Sequence, residues 1–393
     1  MFKSRRIATT GGNKFKDSFC LNFDGADDMI DLGPISGDLR LSGSNGAIVA
    51  WIKPKLTGDE YQRIVDKSDG GNGANGYALF IKKDGNVTGN IDGAAKVVSP
   101  AGDLVADKWQ HLVWTWDGTT HYAYVNGVEV QSNSSSSTPP SDTTNMRIGS
   151  WNHDVVREYK GKISEVAIYN IGLTASQVKT IYNGREPYNH NEGIAPSNLK
   201  GWWRMGDGIF DHKATTDAQG GVVCDMSNAT LGSDIFGGRG NFTDNSDSYW
   251  NFAGAGSSNG VIEDGVCKFN ASGSNNCSLQ KAGVLTLNQM YRLDVDVTSV
   301  DSTAAGGTSL VVDDGNPYIR VCETTDGIKS HTMYWVPKTN TTFKLYRYNA
   351  TDDTIPYDEA IQFDNLKVRP VNGNPGYIEN MNPNDFEGDT PWV

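Results

Sequence analysis

The chain has 393 residues, a length that exceeds one ordinary hydrophobic core and suits two domains of about 150 to 200 residues each. Hydrophobic residues make up 37% and glycines number 45, so the chain is globular and rich in turns rather than disordered. The net charge of −13 would repel a phosphate backbone, which argues against nucleic acid as a partner.

The N-terminal segment, residues 1–18, is basic although the chain as a whole is acidic. Its charged residues are Lys3, Arg5, Arg6, Lys14 and Lys16 against the single Asp17. We interpret this arm either as an electrostatic tether to an acidic partner or as a frayed terminus. No apolar run approaches the ~18 residues that span a bilayer, so no membrane partner is expected. Residues 7–12 form no hydrophobic signal core, and with Met1 as the true start nothing directs export.

From residue 19 to about 170, short apolar stretches alternate with turn signals at the spacing of a β-sandwich. The clearest stretch is His111–Trp116, in which Leu112, Trp114 and Trp116 share one face. Asp-Gly at 117–118 and Asn-Gly at 126–127 then turn the chain twice. Because Asn-Gly favours the positive φ values of a tight hairpin turn, we predict a β-meander here.

One short helix is predicted after these strands. Thr174 and Gln177 have the spacing of a capping box, and Gly184 lies where a C-terminal glycine is expected. The apolar stripe that would pack this helix on the sandwich comprises Ala175, Val178, Ile181 and Tyr182.

The second half of the chain repeats the β pattern after an interruption. We divide the chain into a first sandwich at 19–190, a Gly/Asp-rich connecting segment at 191–247, and a second sandwich at 248–371. Residues 372–393 are predicted to be a loop-like C-terminal tail. The fold class is therefore all-β, with two β-sandwich lobes and one short helix. The five cysteines include no CxxC pair, so we expect buried thiols, with pairing of Cys267 and Cys277 across a hairpin as the alternative.

Several motifs in the first sandwich occur in an order that resembles one family. They are Phe23–Gly33, Lys108–Gly118, Tyr124–Gly127, Arg147–Ser150, Tyr159–Asn170 and Leu173–Val178. Together they resemble laminin-G-like, concanavalin A-like lectin and glucanase domains, which implies a two-sheet jelly roll. Residues 201–208, with 379–382 and 388–391, resemble the C-terminal tail of marine bacteriophage structural proteins that carry such a domain. On this reading the tail is split, and a second sandwich that resembles carbohydrate-binding modules, chiefly at Phe363–Val368, is inserted into it.

Such domains occur in secreted lectins and glycosidases and in phage structural proteins, and the phage-like tail implies a virion surface protein. The residues argue against an enzyme. Glycosidases of this fold carry paired carboxylates on one strand. Glu165 lies in the right kind of strand but has no acidic partner two or four residues away. The histidines have no metal-binding spacing, so no catalytic metal is indicated. Calcium is the candidate ion, with Asp24, Asp27 and Asp28 as ligands, although these residues have the alternative role of capping a tight turn.

Carbohydrate binding is predicted where aromatic and polar side chains lie outside the expected core. Trp151, Asn152, His153 and Asp154 form such a group on a loop. In the second lobe, Trp335 with Tyr318 and Tyr334 is a further candidate, with core packing as the alternative.

The leading hypothesis is a non-enzymatic bacteriophage protein on the virion surface, either a head fibre or decoration protein or a tail-fibre component. Its partners would be capsid or tail proteins, attached through the basic arm, and host-surface glycans, and it would be a homo-oligomer. The alternatives are a secreted or cell-surface bacterial carbohydrate-binding protein and a glycoside hydrolase.

Overall fold

The computed structural model describes most of the chain. The described ranges are 16–34, 37–69, 74–140, 144–151, 157–208, 222–223, 225–227, 230–243, 248–254, 260–269, 277–301, 308–312, 319–323, 327–349, 360–373, 376–381 and 383–392.

The chain is built from twenty-seven described strands and one described α-helix. The first part contains β1 (Cys20–Asp24), β2 (Met29–Pro34), β3 (Gly46–Pro54), β4 (Tyr61–Lys67), β5 (Tyr77–Lys82), β6 (Val87–Ile91), β7 (Ala94–Val98), β8 (Gln110–Trp116), β9 (Thr120–Val125), β10 (Val128–Ser134), β11 (Asn145–Ile148), β12 (Lys160–Tyr169), α1 (Ala175–Tyr182), β13 (Leu199–Trp203) and β14 (Val222–Val223). The second part contains β15 (Thr230–Leu231), β16 (Asn251–Ala253), β17 (Gly260–Glu263), β18 (Val266–Phe269), β19 (Ser278–Lys281), β20 (Tyr291–Asp301), β21 (Thr308–Val312), β22 (Ile319–Glu323), β23 (Ser330–Trp335), β24 (Phe343–Asn349), β25 (Ala360–Asn372), β26 (Gly376–Glu379) and β27 (Phe386–Glu387). Short 3-10 helices cover Gly37–Arg40, Asn183–Arg185, Pro196–Asn198, Arg239–Asn241 and Pro383–Asp385.

The first lobe is a sandwich of two antiparallel sheets, which confirms the all-β class. Sheet 1 has the order β10-β9-β8-β3-β12-β1-β27, with β13 also paired to β12. Sheet 2 has the order β14-β26-β2-β11-β4-β5-β6-β7. Their facing side chains form one large hydrophobic core.

The predicted β-meander is confirmed as β8, β9 and β10. Leu112, Trp114 and Trp116 point into the core from β8, and the two indole rings lie 4.6 Å apart between centroids. Tyr122 and Tyr124 of β9 alternate with Ala123 and Val125 of the core and therefore lie on the outer face of sheet 1. Tyr124 is buried there in a second apolar cluster, Tyr122 is partly buried, and this outer face positions the site described below.

The helix α1 covers part of the outer face of sheet 1. Its predicted capping box is confirmed, since the Thr174 side chain accepts a hydrogen bond from the Gln177 N–H and the Gln177 side chain accepts one from the Thr174 N–H. The cap at its C-terminus is Asn183 in the left-handed region, one residue before the expected glycine. Val178 and Ile181 are buried, whereas Ala175 is exposed and was wrongly assigned to the apolar stripe.

The second lobe is also a sandwich and has its own core. Sheet 3 has the order β17-β18-β25-β20-β23, with β15 paired to β25, and sheet 4 has the order β16-β19-β24-β21-β22. Tyr291, Leu293, Val295 and Val297 alternate along β20 and are buried in this core. Among the described side chains, Cys267 and Cys277 are free thiols buried in the same core.

The C-terminal residues return to the first lobe, so the prediction of a loop over 372–393 was wrong. Strand β26 pairs with β2, and β27 pairs with β1. Ile378, Met381 and Phe386 belong to the core of the first lobe, as do Trp203 and Val223 from the segment that precedes the second lobe. The apolar alternation of these two short strands is too brief to register as a pattern, which explains the error.

The two lobes touch through a small apolar cluster. Tyr377 of β26 packs against a group from the second lobe that includes Met290, Tyr334 and Val336. The Lys338 ammonium lies 5.3 Å from the centre of the Tyr377 ring.

Candidate functional site

The loop tryptophan predicted to bind sugar is largely covered. Trp151 is 8% exposed, and the guanidinium of Arg157 lies 4.1 Å from the centre of its ring. Arg147 donates a hydrogen bond of 2.9 Å to the Trp151 carbonyl and holds the loop against β11. Asn152, His153 and Asp154 lie outside the described residues.

The tryptophan predicted to bind sugar in the second lobe belongs to the core. Trp335 is 1% exposed and packs between Tyr291 and Phe343, with ring centroids 5.6 and 6.2 Å away. No open ring face is left for a sugar. Tyr334 is buried in the apolar cluster between the lobes, and Tyr318 lies outside the described residues.

The three aspartates proposed as calcium ligands lie together at the turn between β1 and β2. One carboxylate oxygen from each of Asp24, Asp27 and Asp28 lies within 4.8 Å of the other two. The turn already uses two of their oxygens, because Asp24 Oδ1 accepts from the Ala26 N–H at 2.7 Å and Asp28 Oδ2 accepts from the Asp24 N–H at 2.7 Å. Burial, together with its acidic neighbours, raises the pKa of Asp28 to about 7. The oxygen donors fit the chemistry that calcium prefers, and a cation would relieve the repulsion among them.

Most of the basic arm, including Lys3, Arg5, Arg6 and Lys14, lies outside the described residues. Its last residue, Lys16, has an exposed side chain, while its carbonyl accepts a hydrogen bond from Arg204. The base of the arm is therefore fixed to the first lobe.

Glu165, the residue weighed as a hydrolase carboxylate, is part of a buried ion cluster. It sits in a β-bulge of β12 with φ of 49°. Glu165 Oε1 accepts from Arg204 Nε at 3.0 Å, and its other oxygen accepts from the Trp202 indole. Burial raises the pKa of Asp17, with the charges of Glu165 and Asp207 adding to the effect. Glu165 is 2% exposed, so no substrate reaches it.

A cavity of about 320 Å³ lies on the outer face of sheet 1 beside the start of α1. It is lined by Thr115, Trp116, Asp117, Tyr122, Tyr124, Glu129, Gly172, Leu173, Thr174 and Ala175. The tyrosines of β9 form one wall, with ring centroids 6.4 Å apart and planes inclined by 34°. Its volume lies at the lower end of the range of about 300 to 1,000 Å³ for ligand sites.

The local sequence explains why this cavity is well defined. Asp117 Oδ1 accepts from the backbone N–H groups of Thr119 and Thr120, each at 2.9 Å, which fixes the turn between β8 and β9. Leu173 N–H donates to Thr115 Oγ1 at 2.8 Å and docks the start of the helix on β8. A Cβ at Gly172 would lie 2.7 Å from the Trp116 carbonyl oxygen, so this close approach requires glycine.

The two tyrosine hydroxyls of the cavity donate hydrogen bonds to its two carboxylates. The Tyr122 hydroxyl donates to Asp117 Oδ2 at 3.3 Å, and the Tyr124 hydroxyl donates to Glu129 Oε2 at 3.5 Å. The pKa of Asp117 is lowered, chiefly by the hydrogen bond from the Thr119 backbone. Burial, aided by Glu129, raises the pKa of Tyr124 to about 12, so this hydroxyl remains protonated.

Sequence reasoning missed this cavity because it treated the meander only as core. The signal was present in Tyr122 and Tyr124, which alternate with the buried Ala123 and Val125 and therefore face outward. No sequence pattern indicated that α1 borders the cavity, because this depends on where the helix packs on the sheet.

The fold and the cavity define a two-lobed β-sandwich protein with a concave site on its first lobe. Residues 24–179 match the family model of the concanavalin A-like lectin/glucanases superfamily. No curated protein matches the chain significantly.

Three solved structures are among those similar to this chain. A Bacteroides ovatus protein whose name suggests carbohydrate binding is 20% identical with a TM-score of 0.37, and the match covers 54% of this chain and 56% of that one. The chain thus spans just over half the length of that protein. The sialidase module CBM40 of Ruminococcus gnavus, bound to α2,3-sialyllactose, is 13% identical over 43% of this chain and 99% of that one, with a TM-score of 0.35. A heptameric pentraxin from Limulus polyphemus is 17% identical over 42% and 82%, with a TM-score of 0.33. These similarities are too distant to carry a functional argument.

Proposed function

We propose that this protein is a non-enzymatic, lectin-like protein that binds carbohydrate through the cavity beside α1. The observation that carries the proposal is the combination of the partly buried Tyr122 ring with the carboxylates of Asp117 and Glu129 in one preformed cavity. Aromatic walls with a few fixed polar groups are the usual composition of a small-molecule site, and sugars present both apolar faces and hydroxyl groups to such walls.

The proposal includes no catalytic turnover. Glu165, the carboxylate that the sequence offered for hydrolysis, is buried and paired with Arg204, so it has no access to substrate. Asp117 Oδ1 is fully engaged by the turn it caps, which favours a binding role over an acid–base role.

We further propose that the protein is displayed on a bacteriophage virion as a homo-oligomer, as a head fibre, decoration or tail-fibre component. Fixation of residues 16–20 to the first lobe supports a basic arm that leads from a rigid base toward capsid or tail proteins. The same cavity fits a secreted or cell-surface bacterial carbohydrate-binding protein equally well. Mass spectrometry of purified particles separates the two, since many copies per capsid support the virion role and presence only in the secreted fraction contradicts it.

Carbohydrate binding is tested by screening the full chain against a glycan array and comparing two variants. Tyr122→Ala removes one wall of the cavity and is expected to abolish binding. Tyr61→Ala removes an exposed tyrosine of β4 that is not among the cavity-lining residues and should leave binding unchanged. Equal binding by both variants would show that the site lies elsewhere, and no binding by the wild type would refute the proposed function.

A further inference from the structure

We infer that the cavity beside α1 selects uncharged sugars that donate hydrogen bonds and rejects acidic glycans. This inference rests on the proposed carbohydrate binding and concerns the class of sugar that the same cavity accepts. It follows from two independent properties of the lining residues, their charge and their hydrogen-bonding state.

The charge of the cavity is negative. Asp117 and Glu129 are its two ionisable carboxyl groups, and none of its ten lining residues is lysine or arginine. The first turn of α1 also borders the cavity and contributes about half a positive charge from the helix dipole. Two full negative charges outweigh that contribution, so a carboxylate or sulfate on the ligand meets net repulsion.

The hydrogen bonds that the lining residues already make also favour neutral sugars. The hydroxyl hydrogens of Tyr122 and Tyr124 are directed to Asp117 and Glu129. The Tyr122 hydroxyl and the two carboxylates therefore offer only acceptor oxygens to a ligand, and a ligand must supply the hydrogens.

A neutral sugar supplies those hydrogens through its hydroxyl groups. An acidic sugar replaces a donating hydroxyl by an acceptor that has no partner in this lining, and a site with unmatched polar groups rejects such a ligand strongly. Because the turn between β8 and β9 holds Asp117 in place, this carboxylate does not rearrange to accommodate the acid.

The test measures binding of the full chain to matched pairs of oligosaccharides by isothermal titration calorimetry. The probes are galactotriose against trigalacturonate and mannotriose against trimannuronate, which differ only in oxidation at C6. We expect each neutral member to bind at least tenfold more tightly than its acidic counterpart in low salt. The ratio should shrink as salt is added, because screening weakens the repulsion.

Glu129→Lys reverses one charge at an exposed position of β10 and should raise affinity for the acidic probes at least tenfold. The control is Glu60→Lys, an equal charge change at an exposed residue that does not line the cavity. Acidic probes that bind the wild type as tightly as neutral ones, with binding lost in Tyr122→Ala, would overturn the selectivity and leave carbohydrate binding intact. An absence of binding to every probe and to the glycan array would overturn both.

Discussion

Replacing Glu165 by glutamine tests whether the buried ion cluster holds the first lobe together. Glu165 makes a charged hydrogen bond of 3.0 Å with Arg204 and accepts a second bond from the Trp202 indole. Glutamine offers one acceptor oxygen and one donor amide group in place of the two acceptor oxygens of glutamate. If its oxygen faces Arg204, its amide N–H₂ faces the indole N–H, and two donors meet in a buried space.

The expected loss of stability follows from these two contacts. Removing one partner of a buried ion pair costs about 3 to 5 kcal/mol, and an unsatisfied buried donor alone costs about 1 to 3 kcal/mol. The two losses overlap, because both arise from the same carboxylate. Asp17, whose Oδ1 lies 3.7 Å from Arg204 Nη2, offsets part of the loss when it ionises. We therefore expect the free energy of unfolding of the first lobe to fall by about 3 kcal/mol.

Urea denaturation followed by tryptophan fluorescence measures this quantity. Of the ten tryptophans, only Trp250 and Trp335 belong to the core of the second lobe, so the signal reports mainly on the first. The matched control is Glu60→Gln, whose exposed carboxylate lies 4.0 Å from Lys83, and its effect should stay within about 0.5 kcal/mol. A change of less than about 1 kcal/mol in Glu165→Gln would refute the reasoning.

Three further predictions concern pH, calcium and the helix cap. Partial burial acts to raise the pKa of Asp389, but hydrogen bonds from Lys162 and Lys53 prevail and lower it to about 2, below its ordinary value of 3.8. The stabilisation that ionised Asp389 provides is complete above pH 4 and is lost as the pH falls through 2. Hydrogen exchange in β27 should therefore accelerate only in that pH window. The pKa of Asp28 is raised to about 7 from 3.8, so stability should fall between pH 4 and 7. Asp28→Asn should remove that fall, and a calcium-dependent rise in Tm at pH 8 should vanish in this variant; an unchanged calcium response would contradict the proposed site. Thr174→Ala should lower the unfolding free energy by about 1 kcal/mol in urea denaturation, and Thr180→Ala, an exposed residue later in α1, serves as its control.

The sequence predicted the elements that have strong local signals. Inward alternation of Leu112, Trp114 and Trp116 identified the meander, and the capping box at Thr174 identified the start of α1. Both depend on residues within a few positions of each other, and these local rules hold in the structure.

Features that depend on distant residues were not predictable in the same way. Strands β26 and β27 are four and two residues long, and each is stabilised by pairing with a strand from the start of the chain. Trp151 was expected to be accessible on its loop, but Arg157 covers its ring through a contact that no local pattern encodes.

The candidate site also combines a feature that follows from local sequence with features that depend on distant residues. Outward placement of Tyr122 and Tyr124 follows from strand alternation, whereas the cavity exists only because Gly172 and Leu173 bring the helix onto β8. Glu165 lies on a strand and was therefore weighed as a hydrolase carboxylate. Its burial depends on Trp202 and Arg204, which arrive from β13 and the residue after it.

A crystal structure of the full chain with the tightest-binding neutral oligosaccharide tests the central claim most directly. We predict a sugar ring against Tyr122, with its hydroxyl groups donating to Asp117 or Glu129. A sugar bound at the Trp151 loop or on the second lobe, with the cavity beside α1 empty, would contradict the account.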